Sequence, residues 1–93
     1  MLDDATPDTF RPHVGTTFSI EVEDGEPLVL TLEEANPHGA GHEFRQQPFS
    51  LVFSGPQDRL ATQGNYLLRH PALGDFVLFM VPIGPGRYEV VFN

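Results

Sequence analysis

Cysteine and basic residues are the most conspicuous shortages in this sequence. Cysteine is absent, so neither a disulfide bond nor a thiolate-bound metal can stabilise the chain. Only 5 Lys and Arg stand against 13 Asp and Glu, which gives a formal net charge of −8. A chain this acidic repels the phosphates of nucleic acids and anionic membrane surfaces. We therefore expect neither nucleic acid nor membrane among its partners.

Long apolar runs are missing as well. No stretch approaches the ~20 apolar residues of a membrane-spanning helix. The acidic start, Met1-Leu2-Asp3-Asp4, contains no apolar run of signal-peptide length. Together with the lack of cysteine, these features lead us to expect a soluble cytoplasmic protein, with incorporation into an extracellular or phage-like assembly left open.

Motifs for catalysis are also lacking. The serines Ser19, Ser50 and Ser54 fall in expected strands and not in a nucleophile elbow, and no glycine-rich loop precedes a helix. His70 and Asp75 could form an acid–base pair, but a histidine at a strand end more often hydrogen-bonds a backbone carbonyl. We expect no enzymatic activity, no catalytic residues and no cofactor.

The segment 74–82 organises the fold prediction because it is apolar on both faces of a strand. The two faces carry, respectively, Phe76, Leu78 and Met80, and Val77, Phe79 and Val81. Such a strand needs a covering layer on each side. It therefore reads as the central strand of a small β domain.

Alternating apolar and polar residues predict five further strands, at 16–23, 28–33, 49–54, 65–70 and 87–92. A short helical turn is expected within 3–13, where Thr6 or Asp8 is the N-cap and Pro7 suits the first helical position. The prediction is an all-β domain spanning 1–93, a six-stranded antiparallel barrel or sandwich. It has an N-terminal arm at 1–14, anchored by Phe10 and Val14, and a long loop at 35–48.

The long loop contains the only candidates for a metal site, His38, His42 and Glu43. Histidines four residues apart share a face of a helix and can bind zinc together. Here Gly39 and Gly41 separate them, which favours a flexible loop and two solvated histidines. We therefore predict no metal site.

The second faces of the strands carry more apolar residues than a single core requires. We predict that they form a continuous patch that binds a partner, at Val52, Val77, Phe79, Val81 and Val91. Leu67 is ambiguous. Two explanations stay open: the N-terminal arm and Phe44 of the long loop cover the patch, or it is exposed and binds another protein or a second copy of the chain.

Four segments carry a family resemblance: Phe10…His13-Val14-Gly15-Thr16-Thr17-Phe18, Phe49-Ser50-Leu51-Val52-Phe53-Ser54-Gly55-Pro56, Tyr66…His70-Pro71…Leu73-Gly74…Phe76-Val77-Leu78-Phe79-Met80-Val81-Pro82 and Tyr88-Glu89-Val90-Val91-Phe92-Asn93. They resemble a family of small uncharacterised bacterial domains of about this length, a domain of unknown function associated with phage-tail-collar-like fibre proteins. The resemblance implies an assembly or accessory role and a protein partner, and it implies no catalytic residues.

The functional expectation is therefore a non-enzymatic protein–protein interaction or assembly module. It would act as a homo-oligomer or as an accessory subunit of a phage-tail-like or fibre assembly. The alternative is a β-barrel that binds a small ligand or a metal at its mouth, using His38, His42 and Glu43 together with Tyr66 or His70.

Overall fold

A computed structural model describes residues 6–22, 25–37 and 48–92 and confirms the expected class, an antiparallel barrel of six strands with one short helical segment. The helical segment consists of α1 and a following 3₁₀ helix, and we call it the helical plug (Pro7–His13). The elements are α1 (Pro7–Phe10), the 3₁₀ helix (Arg11–His13), β1 (Thr17–Ile20), β2 (Leu28–Pro37), β3 (Phe49–Ser54), β4 (Gly64–His70), β5 (Gly74–Gly84) and β6 (Arg87–Phe92).

The strands form a closed barrel in the order β1-β2-β3-β6-β5-β4, and every neighbouring pair is antiparallel. Pairing of β1 with β4, through Ser19 opposite Arg69 and Ile20 opposite Leu68, closes the ring. Of the two architectures that the sequence allowed, the chain therefore adopts the barrel.

Strict alternation along the strands fills the interior. Paired inner residues such as Phe18 and Leu30, or Tyr66 and Leu78, face one another across neighbouring strands. The core combines aromatic and branched aliphatic side chains, which suits strands packed in a small barrel. Its fully buried members are Phe10, Phe18, Ile20, Leu30, Leu32, Phe49, Leu51, Phe53, Leu68, Met80, Tyr88 and Val90.

Several strand boundaries differ from the prediction. β1 ends at Ile20 and does not reach residue 23, whereas β2 continues through Pro37 and so shortens the expected loop at 35–48. A β-bulge between Leu32 and Glu34 places the extra residue Glu33 in β2. The β2 extension pairs with β3, so long-range pairing overrides the weak strand preference of its polar residues. The rest of the expected loop lies outside the described residues.

The helical plug closes one end of the barrel. Pro7 is its first residue and Thr6 is the N-cap, as the sequence predicts, and the Thr6 N–H donates to Thr9 Oγ1 at 3.1 Å. The Phe10 ring is fully buried in the core. Val14, expected to be a second anchor, is exposed: the chain becomes extended there and then joins β2, where the Gly15 N–H donates to the Leu32 carbonyl at 2.7 Å. Phe10 and Pro7 are therefore the buried residues that anchor the plug.

The opposite end of the barrel depends on the tight β5–β6 hairpin. Gly86 has a φ of 69°, in the left-handed region that favours glycine, and its carbonyl accepts a hydrogen bond from the Gly55 N–H at 2.7 Å. A Cβ at Gly86 would lie 2.7 Å from the Gly55 carbonyl oxygen. Nearby, the buried Ala61 N–H donates to the Tyr88 hydroxyl at 2.9 Å. The hairpin is therefore fixed to the chain that follows β3.

Candidate outer-face binding site

The outer face of β5 carries large apolar side chains that remain in contact with solvent. Val77 is 61% exposed and Phe79 48%, and on β6 Val91 is 51% exposed. Val81 is half-buried on the same face as Val77 and Phe79, because residues two apart on a strand project to the same side. The described helical plug does not cover them, because Phe10 lies inside the barrel among the core residues.

Register and alternation together place these residues on one outer face, with Val91 two residues beyond Glu89 on β6. Leu67 of β4, half-buried, lies directly opposite Val77, so the structure resolves its ambiguity in favour of the outer face. Val81 lies opposite Glu89 of β6. Cross-strand neighbours have Cβ atoms about 4.5–5.5 Å apart, so such pairs form a continuous surface. We call this surface the outer apolar patch, and its members are Leu67, Val77, Phe79, Val81 and Val91.

Charged side chains border the outer apolar patch on two sides. Glu89 lies beside Val81 and continues the same row to Val52 of β3 and Glu34 of β2. At the start of β5, Arg69 bridges two carboxylates, with 2.8 Å from its Nη2 to Glu21 Oε2 and 3.6 Å from its Nε to Asp75 Oδ2. On the β6 side Glu89 therefore borders the patch directly, with Arg87 two residues farther along the same face, whereas Arg69 at the other end is already paired.

Val52 corrects the list of predicted contact residues. It lies on the outer face of β3, as the alternation predicts, but it is only 6% exposed. Glu34 and Glu89 stand directly opposite it on the two flanking strands, so their side chains rise on both sides of the smaller valine. The strand that is buried on both faces is therefore β3, and not β5 as the sequence led us to expect.

Sequence reasoning missed one exposed apolar residue near the patch. Ile83 lies just beyond the predicted strand segment 74–82, but it is exposed and belongs to β5, at the irregularity between Pro82 and Gly84. Its position directly after a long apolar strand was the available signal. Val29 on β2 and Leu60 are exposed apolar residues elsewhere on the surface.

Of the residues proposed for a metal or ligand site, the structure describes Tyr66 and His70. His38, His42 and Glu43 lie outside the described residues. Within 6–22, 25–37 and 48–92, no group of three histidine or acidic side chains could hold a metal ion. Tyr66 and His70, offered as alternative further ligands, lie four residues apart on β4, about 13 Å by the rise of a strand. One site cannot include both.

His70 and Asp75 do not form an acid–base pair either. His70 is opposite Gly74 and faces the interior, whereas Asp75 is opposite Arg69 on the outer face. Both ring nitrogens of His70 are engaged elsewhere: Nδ1 accepts from the Ala72 N–H at 3.0 Å, and Nε2 lies 3.0 Å from Thr16 Oγ1. Burial lowers the pKa of His70 below its ordinary value of 6.5, and the neighbouring charge of His13 lowers it further. This histidine is a structural hydrogen-bonding residue.

A cavity of about 470 Å³ opens beside the β1–β4 junction, at the end of the barrel opposite the helical plug. Its lining includes Glu21, Val22, Leu60, Asn65 and Tyr66. The Tyr66 hydroxyl donates to the Thr62 carbonyl at 2.7 Å, so that group is already satisfied. The lining mixes polar and apolar groups without a cluster of converging charges.

The fold and the exposed face together define a small closed antiparallel β-barrel that presents an apolar outer surface. Comparison with family models matches residues 5–92 to the family described as a domain of unknown function, DUF6916, and the chain belongs to this family. No curated protein and no solved structure matches the chain. Among the described residues, no helix is long and apolar enough to cross a membrane.

Proposed function

We propose that the protein is a non-enzymatic interaction module that binds another protein through the outer apolar patch. The observation that carries this proposal is the exposure of Val77, Phe79 and Val91 on one side of a barrel whose interior is already filled. Contiguous exposed apolar surface of a few hundred Å² is characteristic of contact sites. A phenylalanine near the centre of such a surface is the type of residue that dominates binding.

Charge favours a different protein over a second copy of this chain. The chain carries a net charge of −8, and Glu89 borders the patch directly. In a symmetric dimer through this face, two copies that each carry a net charge of −8 would repel one another, and Glu89 of each copy would lie at the interface. Like charges brought together at an interface cost several kcal/mol. We therefore assign the site to a partner segment in which apolar side chains are flanked by lysine or arginine.

An assembly is the setting that we propose for this contact. The segments that resemble bacterial domains associated with phage-tail-collar-like fibre proteins support an accessory subunit of such an assembly, made in the cytoplasm. Val77 and Phe79 lie within one of those segments. In this proposal the segment has two roles: its inner residues fill the barrel, and its outer residues contact the partner.

A pair of designed peptides tests the site and its charge preference. One peptide alternates leucine and lysine and the other alternates leucine and glutamate, and binding is followed by fluorescence anisotropy and by backbone amide shifts. We expect the lysine peptide to bind, to weaken as salt is added, and to shift the amides of Val77, Phe79 and Val91. The glutamate peptide should not bind.

Neutral substitutions separate a specific site from general attraction to an acidic protein. Phe79→Ser should weaken binding of the lysine peptide at least tenfold, because it removes the largest exposed apolar contact. Val29→Ser is the matched control, since Val29 is 54% exposed but lies on β2, outside the patch. Equal weakening by both variants, or by neither, would refute the proposal.

Light scattering decides between another protein and a second copy. We expect the wild type and Phe79→Ser to have the same monomeric mass. A wild-type dimer that Phe79→Ser converts to a folded monomer would assign the patch to self-association. In that case our choice of partner would be wrong.

The alternative function is metal or small-ligand binding, and it rests on His38, His42 and Glu43. Titration of the wild type and His42→Ala with Zn²⁺ by calorimetry tests it. Stoichiometric binding in the wild type that is lost in the variant would favour this alternative over the interaction module.

A further inference from the structure

Strand pairing closes the seam between β5 and β6 over only part of its length. β6 pairs with β3 from Arg87 to Phe92, but its described register with β5 ends where Val81 lies opposite Glu89. The preceding part of β5, residues 74–80, pairs with β4. Within the part of the chain that the structure describes, no strand pairs with the other edge of this segment. We call it the open edge of β5.

The orientation of the backbone groups along β5 follows from β4. Successive residues of an antiparallel strand present their N–H and C=O groups to opposite neighbours. The Leu67 carbonyl accepts a hydrogen bond at 3.1 Å from the backbone N–H of the residue after β1, so it faces β1. The residues on either side of it therefore face β5, where they lie opposite Phe76 and Leu78. Val77 and Phe79 consequently direct their N–H and C=O groups to the open edge.

Aromatic rings close the same seam from inside the barrel. Phe76 of β5 and Phe92 of β6 are half-buried inner residues on its two sides. The fully buried Phe10 ring lies 6.4 Å from the first and 5.7 Å from the second, measured between centroids. The seam is therefore a groove with an apolar floor, and not a hole into the barrel.

The open edge and the outer apolar patch share residues. Val77 and Phe79, whose backbone groups face the edge, also carry the large exposed side chains of β5, and Val91 on β6 is exposed across the seam. A ligand at this place meets a row of backbone donors and acceptors as well as apolar side chains. An extended polypeptide is the ligand that can use both features at once.

We propose that the partner segment binds as an added β-strand along the open edge of β5. This inference rests on the proposed function and specifies how the same site is used. Backbone hydrogen bonds to Val77 and Phe79 would hold the segment, and its apolar side chains would contact the patch. Glu89 at the end of the seam and the net charge of −8 favour a segment that carries lysine or arginine. The same charge disfavours the corresponding edge of a second copy.

Amide hydrogen exchange of the free protein, followed by nuclear magnetic resonance, tests whether the edge is open. We expect the amides of Val77 and Phe79 to exchange at least about tenfold faster than those of Leu78 and Met80, which face β4. Slow exchange of all four amides in dilute protein would overturn the proposal, because the edge would then already be occupied. Slow exchange that appears only as the protein concentration rises would make a second copy the occupant, and our choice of partner would be wrong.

Exchange in the presence of the leucine–lysine peptide tests how the segment binds. At saturating peptide we expect the amides of Val77 and Phe79 to slow about tenfold or more, whereas that of Leu78 should change little because it already bonds β4. Binding without slower exchange at these two amides would overturn strand addition and leave the proposed function intact. A peptide that does not bind would refute the proposed function, and this inference with it.

Backbone methylation of the peptide supplies an independent test. One version is N-methylated at every leucine and the other at every lysine, so that each loses the N–H groups of one edge and keeps its side chains. A strand added through one edge should lose at least about tenfold in affinity in one version and little in the other. Equal affinities of the two versions would overturn strand addition.

A matched pair of variants tests the protein side of the contact. Val77→Pro removes one N–H from the open edge, whereas Val77→Ala shortens the side chain and keeps that N–H. Proline can be accommodated here because the N–H of Val77 does not bond β4. We expect Val77→Pro to bind the leucine–lysine peptide at least about tenfold more weakly than Val77→Ala, and equal affinities would overturn the proposal. If Val77→Pro does not fold, the exchange measurements on the wild type decide.

Discussion

β3 and β5 are both apolar strands of one barrel, yet their outer faces differ. On β3 even the outer residues Ser50 and Val52 are buried, whereas on β5 the outer residues Val77 and Phe79 are exposed. β3 pairs along its whole length with β2 on one side and β6 on the other. The described register of β5 with β6 covers only the hairpin end, at Val81, Pro82 and Gly84. Exposure therefore depends on the neighbouring strands more than on the strand's own composition.

The largest effect that we expect comes from placing a charge on the outer face of β3. Val52→Asp buries a carboxylate between Glu34 and Glu89 with no cation opposite it, which should cost about 3–5 kcal/mol. Val77→Asp makes the same change on the outer face of β5 and should cost about 1 kcal/mol or less. Urea unfolding of both variants measures the difference. Similar losses would show that the two outer faces are equivalent.

An intermediate effect is expected at Tyr88 on β6, which lies between the two strands. Its hydroxyl is the acceptor for the buried Ala61 N–H, so Tyr88→Phe leaves that donor unpaired and should cost about 1–3 kcal/mol. Tyr66→Phe is the control, because its hydroxyl bonds an exposed carbonyl that water can reach. In thermal unfolding, Tyr88→Phe should have a lower midpoint temperature than Tyr66→Phe. The reverse order would contradict this assignment.

The smallest effect is expected at the polar end of the outer face of β5. Arg69→Met removes the ion pairs to Glu21 and Asp75, which are exposed, and should cost about 0.2–1 kcal/mol. The difference from wild type should shrink as salt is added, because salt screens exposed charges. Chemical unfolding at low and high salt measures it. A large loss that does not depend on salt would mean that Arg69 stabilises the barrel through packing.

Much of the fold is readable from local pattern. The bounds of β3 and β6 match the prediction, because clean alternation ends at Gly55-Pro56 in one case and begins after Pro85-Gly86 in the other. The continuation of β2 to Pro37 is not readable, because Glu34 and Asn36 are held in the strand by pairing with β3. The choice of barrel over sandwich likewise depends on β1 meeting β4, which no local signal indicates.

The candidate site is readable only in part. Alternation correctly places Val77, Phe79 and Val91 on the outer face. It cannot show that Val52 is buried, since that depends on which residues of β2 and β6 lie opposite it. The hydrogen bond from His70 to Thr16 joins residues far apart in the sequence, so it too appears only in the folded chain.

Closure of the ring through β1 and β4 also has a consequence for how the chain reaches its native state. β1 obtains its second neighbour only after β4 has formed, because the paired residues Ser19 and Arg69 are far apart along the chain, with β2 and β3 between them. Loop-closure entropy must be overcome before such distant pairs stabilise anything, which slows folding. During synthesis, β1 would therefore be paired with β2 alone until β4 has formed. We expect refolding to take milliseconds to seconds, as is typical of folds in which many contacts join residues distant in the sequence.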